Sequence, residues 1–181
     1  VRDTLLDRQR ANPDIDLATE LLPDDVMARA RAAGIAVYPT GIDHGTVTLK
    51  LGDTLAEVTT LRRDVETNGR HAVVAFGTDW REDASRRDFT LNALYCGPDG
   101  ALFDPLEGVD DALAGRVRFI GDAARRIDED GLRVYRFFRF SASHGGQQFD
   151  PDGLVACAAA VPRLAHLSRE RVGQEIVRML A

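Results

Sequence analysis

Asp14 and Asp16 stand two apart in a stretch, Asp14 to Ala18, that reads as a β-strand. Residues at that spacing point to one face of a strand, so two carboxylates are expected side by side. Adjacent carboxylates repel unless a cation neutralises them, and a divalent ion held by carboxylates and substrate phosphates is what nucleotidyl transfer requires. Mg2+ is therefore the expected cofactor, with Asp14 and Asp16 as metal ligands. A solvated strand edge would carry the same pair without any metal. Glu57, in another expected strand, is a candidate third metal ligand. A hairpin glutamate paired with Arg62 or Arg63 accounts for it as well.

Arg86-Arg87-Asp88-Phe89-Thr90-Leu91-Asn92-Ala93 joins two guanidinium groups to an acid and an amide. Arginine grips phosphate with paired hydrogen bonds, while aspartate and asparagine can bond sugar hydroxyls or order the arginines themselves. A surface ion-pair cluster has the same composition. The richest stretch is Glu129-Asp130-Gly131-Leu132-Arg133-Val134-Tyr135-Arg136-Phe137-Phe138-Arg139-Phe140. On a helix, Glu129, Arg133 and Arg136 share one face, Asp130 and Arg139 flank it, and Val134, Tyr135 and Phe138 lie opposite. That is a recognising side and a packing side, or an amphipathic helix with an ordinary Glu129–Arg133 pair.

Other chemistry is unsupported. His44, His71, His144 and His166 are dispersed without metal-ligand spacing, and neither GxGxxG nor GxxxxGK[ST] occurs. Cys96 and Cys157 have no CxxC partner, which fits a reducing, cytoplasmic setting. No apolar run approaches bilayer length, so no membrane partner is expected.

The elements that must carry these groups divide at about Gly121. Val1–Arg8 reads as a short helix with Leu5 and Leu6 inward, and Leu22-Pro23-Asp24-Asp25 opens a helix that Gly34 ends. Ile35–Tyr38, Thr46–Leu51 and Leu55–Leu61 read as an antiparallel meander turning at Gly52-Asp53. Asp64–Ser85 reads as a long, partly mobile loop interrupted by Ala72–Phe76, with Trp80 exposed. Leu91–Tyr95 and Ala101–Phe103 flank a turn, after which Ile127–Ser143, Gly153–Ala160 and Ser168–Leu180 are expected helices. The fold class is α+β, with a unit over 1–121 and an all-helical unit over 122–181.

The 181 residues carry a formal charge of -6, which argues against nucleic-acid binding by bulk attraction. Lys50 is the sole lysine, so the positive charge is almost all arginine. Phosphate binding and high-GC codon usage both account for that bias.

In order, these pieces resemble the class II tRNA nucleotidyltransferase and bacterial poly(A) polymerase family of the DNA polymerase β superfamily. Val1-Arg2-Asp3 resembles the end of GGxVRD, Asp14-Ile15-Asp16 the metal-binding DxD, Arg86–Ala93 the RRDFTxNA motif, and Glu129-Asp130 through Arg133 the EDxxR motif. Asp104-Pro105-Leu106-Glu107-Gly108 is similar to the head-to-neck connection and Leu167–Val172 to the neck helix, so the likeness covers the whole chain. It implies a polymerase-β-like head with a mixed, largely antiparallel sheet, followed by an all-α neck. It also implies that Asp14 and Asp16 hold Mg2+, that Arg2, Arg87, Arg136 and Arg139 meet nucleotide phosphates, and that Arg86 belongs to the nucleotide-binding set. Asp88 and Asn92 would lie near the sugar, and Asp130 with Arg133 would template CTP or ATP.

Gly41–Thr48 resembles the CCA-adding subgroup, which points to tRNA, CTP and ATP as partners and to addition of CCA to the tRNA 3′ end. Poly(A) polymerase, a CC- or A-adding enzyme, and a catalytically silent nucleotide- or RNA-binding module are the alternatives. The paired glycines expected before Val1 and the family's tRNA-gripping body and tail are not in the sequence, so a longer natural chain is expected. Gly131 stands where a larger residue is usual, at an expected cost of up to about 1 kcal/mol within a helix.

Overall fold

The computed structural model describes residues 1–8, 15–67, 72–146 and 148–180. In chain order its helices are α1 (Arg2–Leu5), α2 (Pro23–Ala32), α3 (Trp80–Ser85), α4 (Gly108–Leu113), α5 (Ala123–Glu129), α6 (Leu132–His144), α7 (Pro151–Ala160) and α8 (Arg169–Leu180). The strands are β1 (Ile15–Thr19), β2 (Ala36–Gly41), β3 (Thr46–Leu51), β4 (Thr54–Thr60), β5 (Arg62–Thr67), β6 (Ala72–Phe76), β7 (Tyr95–Cys96) and β8 (Leu102–Phe103). They form two compact units: Gln9–Asp83, and Val1–Arg8 together with Ala84–Ala181.

In the first unit a four-stranded sheet runs β1-β4-β3-β2. β4 pairs antiparallel with β3 and parallel with β1, so the sheet is mixed and largely antiparallel, as expected. α2 opens with Pro23 and the acids Asp24 and Asp25, which suit the positive end of the helix dipole. The chain leaves it through Gly34, whose φ of +71° an L side chain rarely adopts. Val26 and Met27 of α2 bury themselves against Val47 and Val58, closing one face of the sheet.

The loop expected over Asp64–Ser85 is mostly regular structure. β5 and β6 pair as an antiparallel hairpin and α3 follows. Val65 and Thr67 of β5 are interleaved with the charges Arg63, Asp64 and Glu66, which hid the first strand of the hairpin. Trp80 is only half exposed, and its Nε1 donates to Glu20 at 2.7 Å. The hairpin sits tightly at Gly45, where a Cβ would lie 2.6 Å from the Phe76 ring.

In the second unit, the core joins Phe89, Leu91, Val117 and Phe119 to Ile127, Val134, Phe137 and Cys157. Phe119 stacks on Phe137 at 5.5 Å between ring centroids. Residues 84–121 thus belong to the same compact unit as the helices that follow them. Leu5 is exposed rather than inward, because α1 is too short to turn both leucines into a core. Leu91 lies in a 3-10 turn, Thr90–Asn92, so of the expected strand only Tyr95 pairs, as the first residue of β7 against β8.

The expected continuous helix Ile127–Ser143 is broken. Asp130 is extended (φ -149°, ψ 104°), separating α5 from α6, and its Oδ1 accepts the Leu132 N–H at 3.2 Å. Gly131 is thus the cap of α6 rather than a helix-interior residue, and the expected interior penalty does not apply. A Cβ there would approach Leu164 to 3.1 Å, so glycine also fits the local packing.

Candidate functional site

The Asp104–Gly108 turn fixes the start of α4. Asp104 accepts the N–H groups of Gly108 and Val109 at 2.8 and 2.9 Å, and Glu107 adopts a left-handed φ of +58°. A Cβ on Gly108 would lie 2.1 Å from the Thr90 carbonyl oxygen, so the bare glycine lets α4 meet the arginine-bearing segment. Asp111 of α4, fully buried, then accepts from Thr90 Oγ1 at 2.5 Å, Arg116 Nε at 2.5 Å and Arg118 Nε at 2.8 Å. Burial alone would raise its carboxyl, but these donors hold it below the usual range. Phe89, buried beneath, pairs with Phe119 and Phe140. Together they hold Asp88, itself largely buried, beside this core.

Asp88 meets the two arginines expected from α6. It accepts Arg133 Nε at 2.7 Å and Arg136 Nη1 at 2.8 Å, one on each carboxylate oxygen. Burial would push Asp88 up, yet the Arg136 and Arg133 charges outweigh it and hold the carboxyl below its ordinary value. Burial likewise opposes the charge on Arg136, and Asp88 more than restores it, raising Arg136 above its usual range. Of the roles open to Asp88, ordering the arginines is the one visible in the structure.

Arg133 is 8% exposed and spends its other bonds on Glu129 Oε2 at 2.8 Å and the Arg126 carbonyl at 2.5 Å, both through Nη1. Its Nη2 has no hydrogen-bond partner among the described residues. Asp130, at the break, keeps Oδ2 3.6 Å from Arg171 and 3.9 Å from Arg136. Guanidinium donors of Arg136 and Arg171 therefore sit near this carboxylate, and donors beside an acceptor are the combination that pairs with a base edge. Had Glu129–Phe140 been one helix, Asp130 would have spent its carboxylate on a solvated face. The break is what adds it to this cluster.

Arg2 bonds Asn92 Oδ1 and Asp3, and its guanidinium lies 5.4 Å from the Phe140 ring centroid. Arg139 lies over that same ring at 4.4 Å. Asn92 is thus drawn to Arg2. Arg87 lies 5.2 Å from the Tyr95 ring, and the Arg86 and Arg87 carbonyls accept Arg126 Nη2 at 2.8 and 2.7 Å. Arg2, Arg86, Arg87, Asp88, Asn92, Asp130, Arg133, Arg136 and Arg139 all belong to this one compact unit.

Sequence reasoning assigned no site role to Arg126 or Glu175. Their only signal was placement: Arg126 three residues before Glu129, and Glu175 four after Arg171 on α8. His144, given no role from sequence, lies 3.2 Å from Asp3 and 2.7 Å from Ser143 Oγ. Burial and the nearby Arg2 charge lower its pKa despite Asp3.

The metal-ligand expectation falls on the sheet unit. Asp14 lies outside the described residues. Asp16 is exposed and in direct register with exposed Glu57 on the parallel pair β1–β4. Cross-strand register partners project to the same face, opposite to the one closed by α2. Two hard oxygen ligands on one face fit a small divalent cation, which usually takes one or two carboxylates and completes its shell with phosphate and water. Among the described residues, no group of three His, Cys, Asp or Glu is placed to hold a metal.

By fold this is an α+β protein, and by side chains one whose helical unit gathers arginines around a few carboxylates. Over residues 1–118 the chain matches the poly A polymerase head domain, and it belongs to that family. It is 43% identical to the mitochondrial CCA tRNA nucleotidyltransferase 1 of Danio rerio, over 99% of this chain and 42% of the relative. It is 38% identical to the CCA-adding enzyme of Geobacillus stearothermophilus, over 99% of this chain and 43% of that enzyme. The Bacillus stearothermophilus CCA-adding enzyme in complex with CTP superposes with a TM-score of 0.85 at 35% identity, covering 99% of this chain and 42% of that one. A tRNA nucleotidyltransferase complexed with a primer tRNA and an incoming ATP analog gives 0.78 at 26% identity, covering 99% and 52%. The chain thus spans less than half the length of these Danio rerio and Geobacillus stearothermophilus relatives. No helix among the described residues is long and apolar enough to cross a membrane.

Proposed function

We propose that this chain is the catalytic head (1–121) and base-recognising neck (122–181) of a template-independent nucleotidyltransferase that adds C, C and A to the 3′ end of tRNA. The observation that carries this is the Asp88 bridge to Arg133 and Arg136, which ties the RRDFTLNA segment to the EDGLR break. It supports a cluster preorganised for one ligand bearing both phosphates and a base.

Arg133 Nη2 and Asp130 Oδ2 offer a donor and an acceptor to the base of CTP or ATP, so protein side chains replace a nucleic-acid template. Arg2, Arg87, Arg136 and Arg139 neutralise phosphate charge, and Arg86 supports them. Asn92 and Asp88 keep these arginines in place at the sugar side. Asp14 and Asp16 would hold Mg2+, with Glu57 beside Asp16, and the bound ion would supply Lewis-acid activation and charge neutralisation. The tRNA 3′ hydroxyl attacks the α-phosphate, a new P–O bond forms, and pyrophosphate leaves. Positioning and charge stabilisation account for the rate without a covalent nucleophile.

The unpaired cysteines favour a reducing compartment such as the cytoplasm, while the Danio rerio relative is described as mitochondrial. The test is to incubate the full-length protein with tRNA lacking its 3′ end, CTP, ATP and Mg2+, and to sequence the products. Addition limited to C, C and A is expected. Long A tails would assign a poly(A) polymerase instead, and CTP binding without any transfer would assign a silent binding module.

A further inference from the structure

α8 presents Arg171, Glu175 and Arg178 at positions four and three apart, along the side that meets α6. Glu175 is 5% exposed, and one carboxylate oxygen serves each of two arginines of α6. Its Oε1 accepts Arg136 Nε at 3.2 Å and its Oε2 accepts Arg139 Nε at 2.8 Å. Arg178 Nη1 stands 3.9 Å away.

Both arginines are gripped through Nε, the inner edge of the guanidinium. For Arg139 this leaves Nη1 and Nη2 with no hydrogen-bond partner among the described residues, while the Phe140 ring at 4.4 Å fixes the plane of the group. For Arg136, Asp88 takes Nη1 and leaves Nη2 facing Asp130 at 3.9 Å. A carboxylate that holds Nε, with a ring that holds the plane, leaves a paired N–H fork of one fixed orientation. Such a fork matches two phosphate oxygens.

A buried acid among arginines is weak evidence for stability, because apolar residues of similar volume fill such sites at least as well. Position is what an apolar residue could not supply. We propose that Glu175 is a positioning residue for the nucleotide phosphates: from α8 it aligns Arg136 and Arg139, so that the free edge of Arg139 meets the triphosphate. This rests on the functional reading above and extends it to a helix that the family's base-reading motif does not include.

The test is a calorimetric titration of the full-length protein, with Mg2+, using CTP, inorganic tripolyphosphate and cytidine. The proteins compared are wild type, Glu175→Gln, Arg139→Gln and the double variant. Glu175→Gln keeps the shape and one acceptor oxygen but removes the charge that serves both arginines. Each single variant is expected to weaken CTP and tripolyphosphate by about tenfold, to leave cytidine unchanged, and to gain little further loss in the double variant. Glu175→Asp, which keeps the charge but withdraws it by one methylene, is expected to fall between wild type and Glu175→Gln, and it carries the same test if Glu175→Gln unfolds. Wild-type affinity in a folded Glu175 variant, equal loss for cytidine, or single losses that multiply in the double variant would each overturn the inference alone. A wild-type protein that binds neither CTP nor tripolyphosphate would overturn the functional reading, and this inference with it.

Discussion

Replacing Asp88 by asparagine should cost stability in a pH-dependent way. Asp88 makes two charge-assisted hydrogen bonds, to Arg133 at 2.7 Å and Arg136 at 2.8 Å. Bonds of this kind contribute about 1.5–3 kcal/mol each, and breaking a buried pair also strands the partner charge. Asparagine keeps one acceptor oxygen, and Glu129 and Glu175 still attend the two arginines, so the expected loss is about 2–3 kcal/mol near neutral pH. In a unit of about 100 residues, each kcal/mol moves Tm by about 4–8 °C, so a fall of at least about 8 °C is expected by circular dichroism. The folded-state pKa of Asp88 is depressed below its unfolded value. Its contribution is therefore complete above the unfolded pKa of about 3.9 and disappears as pH falls through the folded value. The Tm gap between wild type and variant should be constant from pH 7 to pH 5 and close at still more acid pH. A gap under about 2 °C at pH 7, or one that persists unchanged at pH 3, would refute the bridge as described.

Gly108→Ala should destabilise the same unit by about 2–3 kcal/mol in denaturant melts, because the new methyl collides with the Thr90 backbone and α4 must shift. Cys96 should react with maleimide in the folded protein while Cys157 reacts only after unfolding, since burial pushes the Cys157 thiol up to about 12. Mass spectrometry after limited labelling reads this directly. Asp122→Ala, which removes the side-chain acceptor of Arg125 N–H at 2.8 Å, should cost about 1 kcal/mol by thermal melting.

The β2-β3-β4 meander and α2 were legible because β-branched runs, the Gly52-Asp53 turn, Pro23 and Gly34 are local signals, whereas the parallel pairing of β1 with β4 spans distant residues and was not. The members of the arginine–carboxylate cluster were legible for another reason: arginines and acids gather in short runs, Arg86–Asp88 and Glu129–Arg139. What the runs could not show is how they interlock. The bond from Asp88 to Arg136 joins residues 48 apart, and the one from Glu175 to Arg139 joins residues 36 apart. No periodicity within a window predicts such a contact. The break at Asp130 was hidden because Gly131 sits inside an otherwise continuous helical pattern, where a glycine costs only about 1 kcal/mol. The β5–β6 hairpin was missed because its stability comes from pairing across the sequence rather than from either segment's own composition.

The central proposal is that Asp14 and Asp16 support nucleotidyl transfer while the arginine cluster recognises the nucleotide. It is tested most directly by following transfer of labelled CMP from CTP to tRNA lacking its 3′ end, across a Mg2+ titration, for wild-type full-length protein, Asp16→Ala and Arg133→Ala. Asp16→Ala should lose transfer at every Mg2+ concentration while still binding CTP, and Arg133→Ala should lose its preference for CTP over UTP. Transfer by Asp16→Ala at the wild-type rate, or unchanged nucleotide choice in a folded Arg133→Ala, would contradict it.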